Sequence, residues 1–400
     1  MKLIRRNDYL NQLISLNNTP DIKVVTGIRR CGKSELIKEY MRYLKKAEPS
    51  VNIVFTNLQE LEYDHLKEYH RLHDYVTDHY EKGKHNVVII DEVQLCPQFE
   101  LAVNSLHAKG VYDIYVTGSN AFLLSSDLAT LFTGRTMEIE IYPFSFKEYL
   151  EYFKPKEDIN TSFDHYVKTG GMPGAYIYPS EKQRHDYVRD IYQTILTRDL
   201  VQKYKIRNRE ELFRIAEYMM DNISKLLSVN NICEALNSNQ STITNKTVAN
   251  YIAYLENAFL FYEAMRYDLR GKKYLKSNHK HYLVDPSIRY SILGIRNMDY
   301  GRVYENIVYI ELLRRGYDVY VGKLYKKEID FVAQRQSEKI YIQVSDDISG
   351  DSTFQREYEP LLAINDAYPK MIIARTRHEK YDYQGIIIQD LAEWLCEEIE

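Results

Sequence analysis

The stretch that decides the fold is GIRRCGKS, residues 27–34. It matches the phosphate-loop pattern G-x-x-x-x-G-K-[ST] at every fixed position. The sequence IKVV at 22–25 is typical of the end of a buried strand, and ELIKEY at 35–40 is typical of the start of a helix. The loop alone would also fit an ordinary glycine-rich turn. A strand, this loop and a helix in that order predict a P-loop nucleotide-binding domain.

The chemistry of phosphate binding explains the spacing of this loop. Gly27 and Gly32 let the backbone curl so that its N–H groups face a phosphate, and the dipole of the following helix adds positive charge. Lys33 can then reach the β- and γ-phosphates of ATP and assist catalysis, and the Ser34 hydroxyl can bind Mg²⁺. The predicted nucleotide-binding residues are Gly27, Ile28, Arg29, Arg30, Cys31, Gly32, Lys33, Ser34 and Glu35.

A second motif, NVVIIDEVQ at residues 86–94, predicts hydrolysis of the bound nucleotide. Its apolar run followed by two acids is typical of a central parallel strand that ends at the ligand edge of a sheet. We expect Asp91 to hold Mg²⁺ from its outer shell and Glu92 to polarise the attacking water. The alternative is a buried strand with a solvated acidic tip. Together with the phosphate loop, the motif predicts an ATPase with ATP and Mg²⁺ as its cofactors.

Composition bounds the class of protein. The chain has 400 residues, enough for two to four domains, and is 44% hydrophobic and 28% charged. Its net charge of -4 gives no global nucleic-acid signature, so any such contact has to come from a local basic patch. The four cysteines are far apart and indicate neither a zinc site nor a disulfide framework. No signal peptide and no long apolar stretch is found, which predicts a cytoplasmic protein without a membrane partner.

Residues 1–142 alternate strands and helices, which predicts an α/β fold with a parallel sheet and helices on both faces. A strand lies between the two motifs in the sequence, which is typical of ATPases with an inserted strand and a catalytic glutamate. The predicted strands are 22–26, 52–56, 87–91, 112–117 and 137–141.

Two further polar positions are candidates for the ATPase site. Ser119 or Asn120 follows the fourth strand and could reach the γ-phosphate and the attacking water, the role called sensor 1; an ordinary turn is the alternative. Arg135 follows Gly134 just before the fifth strand. In AAA-type ATPases this location often supplies an arginine finger to a neighbouring subunit, which predicts a homo-oligomer. The alternative is a surface arginine after a helix stop.

The chain resembles a known family at several of these motifs. GIRRCGKS, IIDEVQ, VTGSN and LFTGR, followed by IEIYPFSFKEYL, are similar to prokaryotic AAA-type ATPases that carry a C-terminal PD-(D/E)XK nuclease-like domain of unknown function. The likeness continues through residues 169–175, 195–200, 301–322 and 326–333 and covers nearly the whole chain. The resemblance supports the predicted architecture and the ATP site. It says little about the biological role.

After residue 142 the pattern becomes helical, and we expect residues 143–206 to form a helical lid over the nucleotide. One long helix is predicted at 180–206. Arg198 within it could be a second sensor that reaches into the ATP site, or it could form an ion pair with Asp199 on the helix surface.

Residues 207–280 are predicted to form a winged-helix domain. A short helix at 228–236 is followed by a polar turn and a second helix at 245–259, whose N-terminal polar residues could face base edges in DNA. The wing strands at 260–264 and 273–275 surround cations that could contact phosphates. A structural lid or a protein contact is the alternative to DNA binding. The outward residues are Asn245, Lys246, Thr247 and Asn250, and the wing cations are Arg266, Arg270, Lys272 and Lys273.

Residues 281–400 follow the order helix, strand, EID strand and third strand that PD-(D/E)XK nucleases have. Glu305 and Asp330 match the first two acidic positions, and Glu328 could add a weak cation ligand. The third position is Gln343-Val344-Ser345, so both a carboxylate and the lysine of the nuclease motif are absent. The sequence therefore predicts a nuclease-like fold with a degenerate site and no cleavage.

Three hypotheses follow for the whole chain. The first is a Mg²⁺-dependent ATPase whose nucleotide state moves a winged helix and a degenerate nuclease-like module on DNA. The second is a nucleotide-controlled signalling or interaction protein without nucleic-acid contact. The third is a nuclease gated by ATP.

Overall fold

The computed structural model describes residues 4–119, 132, 134–237, 243–294 and 299–398. The chain divides into two compact units. The N-terminal unit comprises Leu3–Ile141 together with Asn257–Phe259, and the C-terminal unit contains Tyr142–Glu256 and Leu260–Glu400. Among the described residues, no helix combines the length and apolar character that a membrane span requires.

The N-terminal unit contains a five-stranded parallel sheet in the order β2-β3-β4-β1-β5. This confirms the predicted α/β fold, and each strand lies within one residue of its predicted bounds. The elements of this unit are α1 (Asn7–Ser15), β1 (Ile22–Thr26), α2 (Lys33–Ala47), β2 (Asn52–Asn57), α3 (Tyr69–Asp78), β3 (Asn86–Asp91), α4 (Phe99–Ala108), β4 (Tyr112–Thr117) and β5 (Thr136–Glu140).

Both faces of the central strands of this sheet are covered, as their largely apolar sequences require. All residues of β1 and β3 are buried. On one face, Val88 and Ile90 share a core with residues of α3 and α4 such as Val103. On the other face, Tyr40 of α2 meets Tyr115 of β4, with their hydroxyl oxygens 2.6 Å apart. Helix α2 and the α3–α4 pair therefore lie on opposite faces of the strands that carry the motifs.

A buried ion pair links β1 to β4. The ammonium of Lys23 lies 2.5 Å from a carboxylate oxygen of Asp113, and both side chains are almost fully buried. Lys23 also donates to the Thr19 carbonyl at 2.6 Å, and the Asn18 backbone N–H donates to Asp113 at 3.0 Å. These bonds satisfy charges that would otherwise be very costly to bury. Sequence reasoning did not identify this pair.

We predict that Lys23→Met lowers the free energy of unfolding by about 3–5 kcal/mol, because it removes the lysine counter-charge of the buried Asp113. The double variant Lys23→Met/Asp113→Asn is expected to recover part of this loss. Urea denaturation measures both. Lys67→Met is the control, since Lys67 pairs with Asp64 at the surface and such pairs contribute less than about 1 kcal/mol. Equal losses in the two lysine variants would contradict the prediction.

The C-terminal unit begins with helices. The predicted helix at 180–206 is α7, which continues into a π-helical segment, Ile195–Gln202. Arg198 lies exposed in that segment. The helices before the first strand of this unit are α5 (Phe146–Phe153), α6 (Ile159–Thr169), α7 (Glu181–Thr194) and α8 (Arg209–Asp221).

A nine-stranded mixed sheet follows, in the order β13-β14-β12-β11-β10-β9-β7-β8-β6. It joins the predicted winged-helix strands to the predicted nuclease-like strands, because β7 pairs in parallel with β9. The remaining elements are β6 (Leu226–Leu227), α9 (Val229–Asn237), α10 (Asn245–Asn257), β7 (Phe261–Asp268), β8 (Lys273–Leu283), α11 (Pro286–Leu293), α12 (Tyr300–Arg314), β9 (Asp318–Leu324), β10 (Lys327–Arg335), β11 (Glu338–Ser345), α13 (Asp351–Leu362), β12 (Lys370–Ala374), β13 (Tyr381–Tyr383), β14 (Ile386–Asp390) and α14 (Leu391–Cys396).

The division of this unit into lid, winged helix and nuclease-like domain stays a prediction. Two helices followed by a hairpin, α9 to β8, is the order expected from the sequence, whereas helix α8 and the short strand β6 before them were not predicted. The hairpin strand β8 runs through residue 280, where the predicted boundary between two domains lies. A continuous strand at that point ties the two predicted domains into one sheet.

Candidate functional site

The phosphate loop connects β1 to α2 and depends on its two glycines. Gly27 has a φ of +132°, and a Cβ there would lie 2.1 Å from the Ile141 carbonyl oxygen. Gly32, the N-cap of α2, has a φ of 106°. Both angles lie in the region that side chains disfavour, so the curl of the loop requires glycine at these two positions.

Lys33 begins α2 and turns back onto the loop. Its ammonium donates to the carbonyl oxygens of Gly27 at 2.9 Å and Ile28 at 3.1 Å. The side chain is buried. The positive charge is therefore held at the loop itself, where the sequence predicts the nucleotide phosphates.

Ser34 and Asp91, the two predicted Mg²⁺ ligands, lie together. Asp91 ends β3, and its carboxylate accepts hydrogen bonds from the hydroxyls of Thr117 and Ser34. Burial raises the pKa of Asp91, while these two hydrogen bonds and the charge of Lys33 oppose the rise. A hydroxyl and a carboxylate at one point are oxygen donors of the kind that Mg²⁺ prefers, so the residues fit this cofactor.

Glu92 follows Asp91 and is held by three neighbours. Its backbone has a φ of 57°, and its N–H donates to the Thr117 hydroxyl oxygen at 3.1 Å. Its carboxylate accepts hydrogen bonds from Gln94 at 2.5 Å and Ser119 at 3.3 Å. The carboxylate of Glu92, which the sequence predicts to act on the attacking water, is thus fixed in orientation as well as in position.

Of the three residues that contact Glu92, only Ser119 was predicted from the sequence. Thr117 and Gln94 were missed, although Thr117 ends a predicted strand and Gln94 closes the motif IIDEVQ. Ser119, one of the two sensor candidates, lies at the acidic pair. Asn120, the other candidate, lies outside the described residues.

Arg6 is a further cation that the sequence did not suggest. It precedes α1, is buried, and donates from Nη1 to the Cys31 carbonyl oxygen of the phosphate loop at 3.2 Å. Its guanidinium also lies 4.5 Å from the ring centre of Tyr9. Arg6 therefore ties the first helix to the loop.

Arg135 lies far from the phosphate loop of its own chain. It is exposed and precedes β5, and its carbonyl oxygen accepts from Ile22 N–H, at the start of β1, at 2.8 Å. The phosphate loop follows the other end of β1, a separation of about 13–17 Å at ~3.3 Å per residue. A catalytic role for Arg135 therefore requires a neighbouring subunit.

A second polar cluster lies in the C-terminal unit, where the sequence predicts the degenerate nuclease-like site. The ammonium of Lys280, in β8, lies 2.9 Å from Glu305, 2.8 Å from Glu328 and 3.7 Å from Asp330. Tyr282, two residues along the same strand, donates to Glu305 at 2.6 Å. The three predicted acids thus meet at a lysine that the sequence did not suggest.

Gln343 completes this cluster through hydrogen bonds. Its side-chain oxygen accepts from the Asp330 backbone N–H at 2.7 Å, and its amide donates to Glu357 at 2.8 Å. Asp330 also accepts from the Val344 N–H at 2.9 Å, whereas the Ser345 hydroxyl donates to the Asp347 carbonyl. Gln343 therefore holds β10 and β11 in place beside the acids.

The charges in this cluster perturb one another strongly. Burial, reinforced by the charge of Glu305 and opposed by Lys280, raises the pKa of Asp330 to about 8. Burial alone would lower the pKa of Lys280, but the three carboxylates together raise it. The lysine therefore stays charged over the whole pH range in which proteins are normally stable.

We predict that Lys280→Met lowers the free energy of unfolding by about 3–5 kcal/mol at pH 8, because it leaves buried acids without a counter-charge. Asp330 has a folded pKa above its unfolded value, so the stability present at acid pH falls as the pH rises towards 8. Without Lys280 this fall should be steeper. Urea denaturation at pH 5 and pH 8 measures it.

Lys327→Met is the matched control for that experiment. Lys327 pairs with Glu359 at 2.8 Å, with both side chains about half exposed. Such a surface pair contributes less than about 1 kcal/mol and should show no extra pH dependence. The assignment of Lys280 as the counter-charge is wrong if the two variants lose the same stability at both pH values.

Comparisons with family models divide the chain differently from the prediction. Residues 19–150 match a model described as an AAA domain. Residues 160–299 match a domain of unknown function (DUF8612), which spans most of the predicted lid and the predicted winged helix. Neither model reaches residues 300–398, so the nuclease-like assignment of the last part is unsupported by them and stays a prediction.

Among solved structures, the replication initiator DnaA bound to AMPPCP and single-stranded DNA matches with a TM-score of 0.33 and 16% identity. That match covers 62% of this chain and 86% of the DnaA chain. Cdc6p from Pyrobaculum aerophilum matches with a TM-score of 0.32 and 10% identity, over 77% of this chain and 95% of the other. Scores this low carry no argument about function.

Two curated relatives are similar in sequence over most of the chain. An uncharacterized protein of Methanocaldococcus jannaschii is 26% identical over 348 residues, 83% of this chain and 76% of the relative. An uncharacterized protein of Haemophilus influenzae is 36% identical over 400 residues, 99% of each chain. This chain therefore belongs to the same family as the Haemophilus influenzae protein, and its N-terminal part is an AAA-type P-loop domain.

Proposed function

We propose that this protein binds ATP with Mg²⁺ in its N-terminal unit and hydrolyses it. The observation that carries this proposal is the convergence of the phosphate-loop hydroxyl of Ser34, the carboxylate of Asp91 and the oriented carboxylate of Glu92. They come from α2, β3 and the turn after β3, and the parallel strands bring these elements to one edge of the sheet.

Each residue has a separate task in the proposed reaction. The loop from Gly27 to Glu35 binds the phosphates through its backbone N–H groups, and Lys33 neutralises their charge. Ser34 and Asp91 would hold Mg²⁺, which supplies charge for the transferred phosphoryl group. Glu92 accepts a hydrogen bond from the attacking water, and Ser119 and Gln94 fix its direction. Asn120 remains a proposed sensor.

We predict that Lys33→Ala abolishes ATP binding, since the loop then lacks its cation. Glu92→Gln should retain binding but lower turnover about 10²–10⁴-fold, because an amide cannot act as a general base. Calorimetric titration with a non-hydrolysable ATP analogue measures binding, and phosphate release measures turnover. Glu62→Gln, at an exposed position, is the control for Glu92→Gln. Wild-type turnover in Glu92→Gln would remove Glu92 from the mechanism.

We further propose that Arg135 acts on the ATP of a neighbouring subunit in a homo-oligomer. Its exposed position at the edge of the sheet away from its own loop supports a role in trans rather than in cis. The nucleotide site of one chain would then be completed by Arg135 of the next chain. Turnover would therefore depend on assembly.

The prediction for Arg135→Ala is a loss of turnover of about 10³–10⁵-fold, the contribution of an arginine finger where one operates. Mixing Arg135→Ala with Lys33→Ala is the sharper experiment. Each variant is inactive alone, but a mixed oligomer contains interfaces with an intact loop from one chain and an intact Arg135 from the other. Arg42→Ala serves as the surface control. Wild-type activity of a strictly monomeric Arg135→Ala protein contradicts the proposal.

For the C-terminal unit, we propose that nucleotide state controls a module that contacts DNA. The supporting observations are the exposed Asn245, Lys246 and Asn250 on α10 and the exposed Lys272 and Lys273 at the hairpin. The runner-up is an interaction module that does not touch nucleic acid. DNA binding measured at rising salt separates the two, because each phosphate contact contributes a slope of about -0.9 in the double-logarithmic plot.

Cleavage of DNA is not part of the proposed function. The acids Glu305, Glu328 and Asp330 all lie within 4 Å of the ammonium of Lys280. Gln343 is neutral and is occupied in bonds to Asp330 and Glu357. Incubation of plasmid with ATP and Mn²⁺ tests the alternative of an ATP-gated nuclease, with Asp330→Ala as its control.

A further inference from the structure

We propose that Glu256, Glu263 and His281 form a binding site for a divalent transition-metal ion, with Zn²⁺ as the ion that fits best. The oxygen and nitrogen atoms that these three residues offer all lie within 4.8 Å of one another. The site is separate from the predicted nucleotide site and from the cluster around Lys280, and the proposed ATPase function does not depend on it.

The strand register places two of the three ligands side by side. Glu263 of β7 pairs directly with His281 of β8 in the antiparallel ladder. Side chains at directly opposite positions stand on the same face of the sheet, with Cβ atoms about 4.5–5.5 Å apart. Lys280, one residue before His281, faces the other side and contacts Glu305. Glu256, near the end of α10, supplies the third ligand, 3.3 Å from His281 Nε2.

The state of His281 is the independent observation that indicates a ligand. The residue is only 4% exposed, and its Nε2 lies within ion-pair distance of Glu256, yet neither ring nitrogen makes a hydrogen bond to any residue that the structure describes. Oε1 of Glu256 is also buried and makes no hydrogen bond to a described residue. Buried polar atoms without hydrogen bonds are rare in folded proteins because burying them costs free energy. A metal ion held between Nε2 of His281 and the two carboxylates would satisfy that ring nitrogen and Oε1 of Glu256 together.

A neighbouring histidine holds one of the carboxylates in place. Nδ1 of His279 contacts the Glu263 carboxylate, and its Nε2 lies 3.1 Å from the Leu275 carbonyl oxygen. Metal-binding side chains are commonly fixed by such outer hydrogen bonds, which orient them before the ion arrives. The partial exposure of Glu256 and Glu263 also leaves a path for the ion and room for water in its coordination shell.

The donor set selects the class of metal. One imidazole nitrogen and two carboxylate oxygens suit Zn²⁺ and related transition metals, whereas Mg²⁺ and Ca²⁺ favour sites made of oxygen alone. The ion would tie the end of α10 to the β7–β8 hairpin. Those are the helix and the wing of the predicted winged-helix domain, so the metal would fix their relative positions.

The test is calorimetric titration of the metal-stripped full-length chain with Zn²⁺ in the absence of nucleotide. One strong site is expected in the wild type. It should be lost in His281→Ala and in Glu263→Gln, and His279→Ala should weaken it about 10- to 100-fold. His378→Ala, at an exposed position, is the matched control and should bind like the wild type. Mg²⁺ should not compete for the site.

Folding of the variants is checked by circular dichroism. Because His281→Ala removes a buried ring, Glu263→Gln and Glu256→Gln keep the test decisive if that variant fails to fold. Zn²⁺ should also raise the melting temperature of the wild type but not of these glutamine variants. The proposal is overturned if the wild type binds no Zn²⁺, or if all variants bind it equally, which would indicate an adventitious ion held elsewhere, for example by cysteine.

Discussion

The hydroxyl of Thr117 is the contact on which the predicted nucleotide site depends. It donates to the carboxylate of Asp91 and accepts the backbone N–H of Glu92, and so it fixes both acids from the neighbouring strand. This is possible only because β4 lies between β1 and β3 in the sheet. The strand order therefore sets the distance between the phosphate loop and the acidic pair, and a single side chain at the end of the intervening strand holds the Asp91 carboxylate and the Glu92 backbone.

The C-terminal unit balances its buried charge in a different way. In the cluster around Lys280, the ammonium is part of the fold and faces three carboxylates. The next residue along β8, His281, faces the opposite side of the sheet because strand side chains alternate. Two polar clusters thus lie back to back on one strand, one built around the ammonium of Lys280 and the other the metal site that we propose.

The sequence predicted much of the N-terminal unit because its signals are local. The phosphate loop, the acidic strand and the five strand positions each depend on short runs of residues whose spacing reflects strand or helix geometry. Asp91 and Glu92 were found in this way. Thr117 and Gln94 were not, because their role depends on which strands are neighbours, and strand order is a property of the tertiary fold. Arg135 was proposed from its position in the sequence, but the edge of the sheet on which it lies became clear only from its bond to Ile22.

The C-terminal unit shows where local reasoning ends. Glu305, Asp330 and Gln343 were found because they match a known pattern, yet Lys280 lies 25 residues before Glu305 in sequence and outside that pattern. A lysine in an alternating strand looks like a solvated residue unless its buried partners are known. Lys280 places a fixed ammonium among these acids, at the point where the sequence pattern predicts a weak cation site. The proposal that this cluster does not cleave DNA therefore depends on a contact between residues far apart in the sequence, which no local pattern predicts.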